Sequence, residues 1–141
     1  VKNHLLEVSE YNAAGYSPVV DFQTWRVAML NYIDELDPDQ IDNFQCHNET
    51  DEVFVLLSGK CILFCAEVDE KNNIIDIISW NMEINKTYNI KRGVYHTHTL
   101  SEDAKVLIVE NSDTADNNSP KILIDDSVRH RLVKITSELW S

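Results

Sequence analysis

A chain of 141 residues, 43% hydrophobic and 26% charged, carries enough apolar material for one core and too much for wholesale disorder. Its formal net charge of -12 repels phosphate backbones and anionic headgroups, so neither nucleic acid nor a membrane is an expected partner. No apolar run approaches the roughly 20 residues of a bilayer-spanning helix.

Residues 1–20 read as an N-terminal arm, with Leu5 and Leu6 as anchors and Gly15-Tyr-Ser-Pro18 as a turn signal. Such an arm is expected to cover a sheet edge or cross to another subunit. Aromatic and β-branched content predicts a strand from Trp25 to Tyr32. The acidic stretch from Asp34 to Asp42 reads as a solvated connector, because it lacks the Asp-x-Asp-x-Asp-Gly pattern of a calcium loop.

Strand signals then recur at Val53–Leu57, Cys61–Val68, Ile74–Trp80, Thr87–Ile90 and Val106–Val109, separated by turn material such as Ser58-Gly59 and Glu70-Lys-Asn-Asn73. Many short strands with regular turns predict a mostly β domain, an antiparallel sandwich or barrel, over residues 21–125. Val53-Phe-Val-Leu-Leu57 and Val106-Leu-Ile-Val109 are apolar on both faces. One face fills the barrel and the other needs cover, so a homodimer is expected.

Asp113 to Pro120 is a polar loop, followed by a short strand at Ile122–Ile124. Asp125, Asp126 and Ser127 offer N-cap chemistry before Val128, Leu132, Ile135 and Leu139, which recur at helical spacing. A C-terminal helix over 126–141, packed on the barrel, is predicted. The chain holds three cysteines, and no secretory leader is legible, so a reduced cytoplasm is the expected compartment. Cys61 and Cys65 would stand roughly 13 Å apart on an extended strand, too far to bridge.

The chemistry-bearing residues gather in two places. Gln45 and His47 share one strand face, as do His96 and His98, and Glu52 follows a tight turn. Imidazole and carboxylate together suit Fe(II), Mn, Ni or Zn. The run His47-Asn-Glu-Thr-Asp-Glu52-Val-Phe-Val-Leu-Leu-Ser-Gly59, answered by Gly93-Val-Tyr-His96, resembles the two-part signature of the cupin superfamily. The first part of that signature is His-x-His, three or four residues, Glu, six residues, Gly; the second contains Pro-x-Gly-x-x-His. Gln45 stands in place of the first histidine, and Lys91 in place of the proline.

The resemblance implies a cupin-type β-barrel or jelly roll and places His47, Glu52 and His96 at metal-ligand positions. Gln45 falls at a fourth, although a neutral amide binds these metals less well than imidazole; His98 is the alternative donor, one step deeper along its strand. Glu49 and Asp51 substitute only if the turn is shifted, and otherwise belong to the rim. Arg26, Tyr88 and Tyr95 are candidate substrate-binding residues, since arginine clamps anions and tyrosine donates protons; Tyr32 and Trp80 are further pocket candidates. Trp25, Trp80 and Trp140 read as core or interface residues. No Gly-x-Ser-x-Gly elbow or phosphate-binding glycine loop is present.

The implied function is a metal-dependent isomerase, lyase or dioxygenase acting on a small polar metabolite such as a sugar derivative or organic acid. The alternatives are a non-catalytic binding module and a structural cupin that has lost its metal. No catalytic residue is assigned.

Overall fold

The computed structural model describes residues 4–141. Alternation of apolar and polar side chains builds the strands in chain order: β1 (Gly15–Phe22), β2 (Trp25–Asn31), β3 (Asn43–Gln45), β4 (Glu52–Ser58) and β5 (Cys61–Val68), then β6 (Ile74–Asn81), β7 (Thr87–Ile90), β8 (Tyr95–Leu100), β9 (Lys105–Asn111) and β10 (Lys121–Leu123). One α-helix among the described residues, α1 (Asp126–Leu139), follows the strands. The strands form two antiparallel five-stranded sheets, in the orders β1-β2-β9-β4-β7 and β10-β3-β8-β5-β6. The architecture is the mostly β one expected, with one C-terminal helix.

Two packed layers follow from the side-chain pattern. Ala28, Leu30, Phe54, Leu56, Val106 and Ile108 of the first sheet meet Cys61, Leu63 and Leu100 of the second to form the inner core. Their neighbours along each strand point the other way. On the outer face of the second sheet, Phe44, Ile62, Phe64 and Ala66 pack with Leu132, and with the partly buried Val128, Ile135 and Trp140. The helix therefore covers one sheet and leaves the outer face of the other open.

The helix starts where its N-cap chemistry puts it: the Asp125 carboxylate accepts from the Val128 amide at 2.9 Å. Its buried stripe ends differently from the predicted one. Thr136, one turn after Leu132, is buried with its hydroxyl on the Leu132 carbonyl, while Leu139 is exposed.

The N-terminal segment departs from expectation. Gly15-Tyr-Ser-Pro18 opens a strand instead of making a turn, and the boundary drawn at residue 20 falls within β1. Pro18 is tolerated because β1 is an edge strand, and a register shift between Pro18 and Val20 absorbs the missing donor. Residues 1–3 of the arm lie outside the described residues, and Leu5 and Leu6 are exposed where anchors were expected. Of the tryptophans, Trp140 joins the outer cluster, whereas Trp25 and Trp80 are exposed.

Gly59 closes the β4–β5 hairpin at φ +70°, and a Cβ built there would lie 2.6 Å from the Ala104 backbone. Only glycine fits so close an approach. This turn fixes how β4 returns, and so where Glu52 at its other end is placed.

Candidate metal centre

The polar residues inside the sandwich lie in cross-strand rows. In the first sheet Arg26 of β2 stands opposite Glu110 of β9, and Glu52 of β4 follows one residue beyond the Val53–Val109 pair. In the second sheet Gln45 stands opposite His96, which in turn stands opposite Cys65. These rows face each other across a cavity of about 580 Å³, walled also by Leu30 and Ile108.

His47, Glu52 and His96 converge there, and one ligand atom from each falls within 4.8 Å of the other two. Glu52 Oε1 lies 3.0 Å from His47 Nε2 and 2.8 Å from His96 Nε2. Donors bound at about 2.1 Å and at right angles around one ion stand about 3.0 Å apart, so the spacing fits coordination.

The other ring nitrogens decide which atoms face the carboxylate. A carbonyl only accepts, so His96 Nδ1–H donates to Val94 O at 3.0 Å, which leaves Nε2 as the nitrogen facing Glu52. For His47 the chain is longer. The Asn118 amide donates to Asp113 O and accepts from the Ala115 amide, which directs its oxygen toward Ser119 Oγ. Ser119 Oγ donates to that oxygen and accepts from His47 Nδ1–H at 2.8 Å. Both imidazoles thus turn Nε2 to one carboxylate oxygen, and nitrogen and oxygen come this close only around a proton or a cation; with neutral rings in these tautomers, the Nε2 lone pairs are free for a metal. The residues present fit a divalent metal.

Charge around the site is uneven. Burial works against ionisation of Glu52, but hydrogen bonds from His47, His96 and Glu110 hold its carboxyl well below the ordinary range. Burial, together with the adjoining Glu52 carboxylate, pushes Glu110 up to about 7, against the lowering effect of Tyr16 and Arg26. Glu110 is buried, and its Oε2 accepts from Tyr16 Oη at 2.6 Å and from Arg26 Nη2 at 2.6 Å. Sequence reasoning missed it by ending the strand at Val109; period-2 alternation from Val106 and Ile108 puts Glu110 on the inner face. Ser119 was also missed, and no local signal marks it.

The remaining expected site residues divide. Gln45 and Arg26 line the cavity, but Gln45 Nε2 donates to Ser119 O at 3.0 Å. Arg26 spends its donors on Glu110 and on the carbonyls of Ser112 and Thr114. His98 lines the same cavity outside the three-residue cluster, and burial together with the neighbouring His96 pushes its imidazole down to about 4. Tyr95 is not brought to the cavity: next to His96 on β8, it points outward into the cluster under the helix. Tyr88 lines a separate apolar cleft with Trp80 and Tyr95, and its hydroxyl accepts from the Glu83 amide. Tyr32 bonds Asp37, and Glu49 and Asp51 are exposed, with Asp51 taken up by Asn89 and the Arg92 amide.

No protein-family model matches the chain, and comparison with curated proteins finds no match. Solved structures do match. The Streptomyces nucleoside dehydratase Pac13 aligns with a TM-score of 0.54 at 8% identity, over 83% of this chain and 87% of that one. A mutant of Bacillus subtilis oxalate decarboxylase aligns at 0.50 and 13% identity, over 70% of this chain and 24% of that one. A cupin-2 domain protein from Shewanella frigidimarina aligns at 0.48 and 18% identity, over 72% and 84%.

The chain has the cupin fold.

In this fold Glu52, from the first part of the sequence signature, lies on one sheet, and Gln45 from the first part and His96 from the second lie on the facing sheet. No helix among the described residues is long and apolar enough to cross a membrane.

Proposed function

We propose that this cupin holds a divalent transition metal, Fe, Mn, Ni or Zn, on His47 Nε2, Glu52 and His96 Nε2, and binds or transforms a small polar metabolite beside it. Sugar derivatives and organic acids are the starting candidates. The observation that carries this reading is the convergence of two imidazole Nε2 atoms on one buried carboxylate oxygen, each ring fixed by a partner at its Nδ1. When bound, the metal supplies Lewis-acid polarisation of a carbonyl or hydroxyl and coordination positions for substrate or oxygen.

The chain's own residues do the rest. Val94 O and Ser119 Oγ fix the ring orientations and tautomers of the two histidines. Tyr16 and Arg26 hold the Glu110 carboxyl next to Glu52, at a point where a proton can be kept or passed on. Leu30 and Ile108 supply apolar wall that limits water.

One observation favours a non-catalytic binding module instead: Gln45 takes an imidazole position, and its amide nitrogen is given to Ser119 O. The experiment is reconstitution of the purified protein with each metal, followed by metal analysis and turnover assays on a panel of sugars and organic acids. Metal uptake with turnover supports the enzyme; binding without turnover supports the module; no uptake of any transition metal removes both metal readings.

We further propose a homodimer formed through the open face of the first sheet. Val27 and Val53 flank Val109 there, and Met29 and Val55 flank Leu107, as one half-buried apolar patch. Three free cysteines, none well exposed, suit the proposed cytoplasmic location.

A further inference from the structure

Three histidines line the cavity, and they are not equivalent. His47 and His96 engage both ring nitrogens, one toward Glu52 and one toward Ser119 or Val94. His98 lies on the same face of β8, opposite Leu63, and makes no side-chain hydrogen bond among the described residues. Its Nδ1 is shut away from solvent without a partner, and its ring leans on Phe54 with centroids 5.6 Å apart. Leaving a buried polar atom unpaired costs free energy, and native structures seldom do so without a reason. Nε2 also has no hydrogen-bond partner among the described residues but is not shut away in this manner, and His98 lines the cavity, so Nε2 is the nitrogen that a ligand there can reach.

The charges on the wall narrow what that is. Glu35, Asp42, Glu52, Glu110 and Asp116 line the cavity, and Arg26 is the only lysine or arginine among its described lining residues. Arg26 is already committed to Glu110, Ser112 O and Thr114 O. No cationic side chain is left to receive a carboxylate or phosphate.

We propose that His98 is a ligand-contact residue, hydrogen-bonding a hydroxyl or carbonyl of an uncharged small molecule held beside His47, Glu52 and His96. This rests on the metal-centred cavity proposed above, and it narrows the metabolite to the neutral, hydroxylated class. His98 then belongs to the ligand and not to the metal.

The test uses the full chain loaded with zinc and two matched pairs of probes: ribose with ribose 5-phosphate, and uridine with uridine 5′-monophosphate. Zinc affinity is read by chelator competition, and probe binding by the NMR signals of the histidine rings. At least one neutral probe should shift the His98 ring signals, with its phosphorylated counterpart at least about tenfold weaker. His98→Ala should weaken the neutral probe by about tenfold while zinc affinity changes by less than about twofold. His98→Asn, which keeps a donor and an acceptor, should recover part of the loss and guards against misfolding of the alanine variant.

If zinc binds but no neutral probe moves His98, or if the phosphates bind tighter, the ligand assignment fails and the metal reading stands. A loss of zinc affinity of about tenfold or more in His98→Ala also overturns the assignment, making His98 a metal ligand. If the wild type takes up no zinc while a neutral probe still shifts His98, the metal reading fails and the ligand assignment stands.

Discussion

Gln45 stands directly opposite His96 across β3 and β8, while its amide nitrogen donates to the Ser119 carbonyl at 3.0 Å. The position usually given to imidazole in the sequence signature thus faces the cavity with an amide tied to the backbone. Gln45→His should restore a nitrogen donor and tighten metal binding by about tenfold, or about 1.4 kcal/mol. Chelator competition measures it; an unchanged affinity would show that Gln45 does not face the bound ion.

Ser119 Oγ fixes His47 from behind. Ser119→Ala removes the acceptor of Nδ1–H and frees the ring to turn. Metal affinity should fall by about 10-fold to 100-fold with little change in fold, as judged by circular dichroism and the same competition assay.

Gly59 is a test of the scaffold instead of the site. At φ +70°, with the Ala104 backbone 2.6 Å from where a methyl group would sit, Gly59→Ala should destabilise the domain by at least about 2 kcal/mol. Urea denaturation checks it.

Acid sensitivity has a defined sign at the β5–β6 turn. The Asp69 carboxylate accepts from the Asn73 amide and side chain and from the Lys71 amide, which holds it below its ordinary value of 3.8. The unfolded chain therefore takes up this proton first as pH falls. The contribution is fully present above that ordinary value and is lost as pH drops through the lower folded one. Asp69→Asn should flatten this part of the acid limb when the urea midpoint is followed from about pH 6 to about pH 2.

The open face of the first sheet gives the last variant. Leu107→Lys puts a charge at the centre of the half-buried patch, between Met29 and Val55. Light scattering should show a dimer for the wild type and a monomer for the variant; a monomeric wild type would place the patch in solvent.

Much of the fold is legible because local periodicity and burial agree. β5 and β7 span the predicted residues, and Asp125 caps the helix as its side chain dictates. β1 was hidden by Pro18, whose turn preference is overridden at a sheet edge that needs no donor. Within the site, the family resemblance places His47, Glu52 and His96 together, and they converge. Glu110 was recoverable from alternation alone, and Tyr95 was excludable as the neighbour of an inward-facing His96. Ser119 was not recoverable: it reaches His47 across 72 residues of chain, and only the pairing of β10 with β3 brings it there.

The ligand set itself is tested most directly by X-ray absorption spectroscopy of the zinc-loaded protein. The spectrum should show two imidazole nitrogens and at least one oxygen at about 2.0–2.2 Å, and His96→Ala should lose one imidazole. A spectrum without imidazole scattering, or one with sulfur at about 2.3 Å, would contradict a centre built on His47, Glu52 and His96.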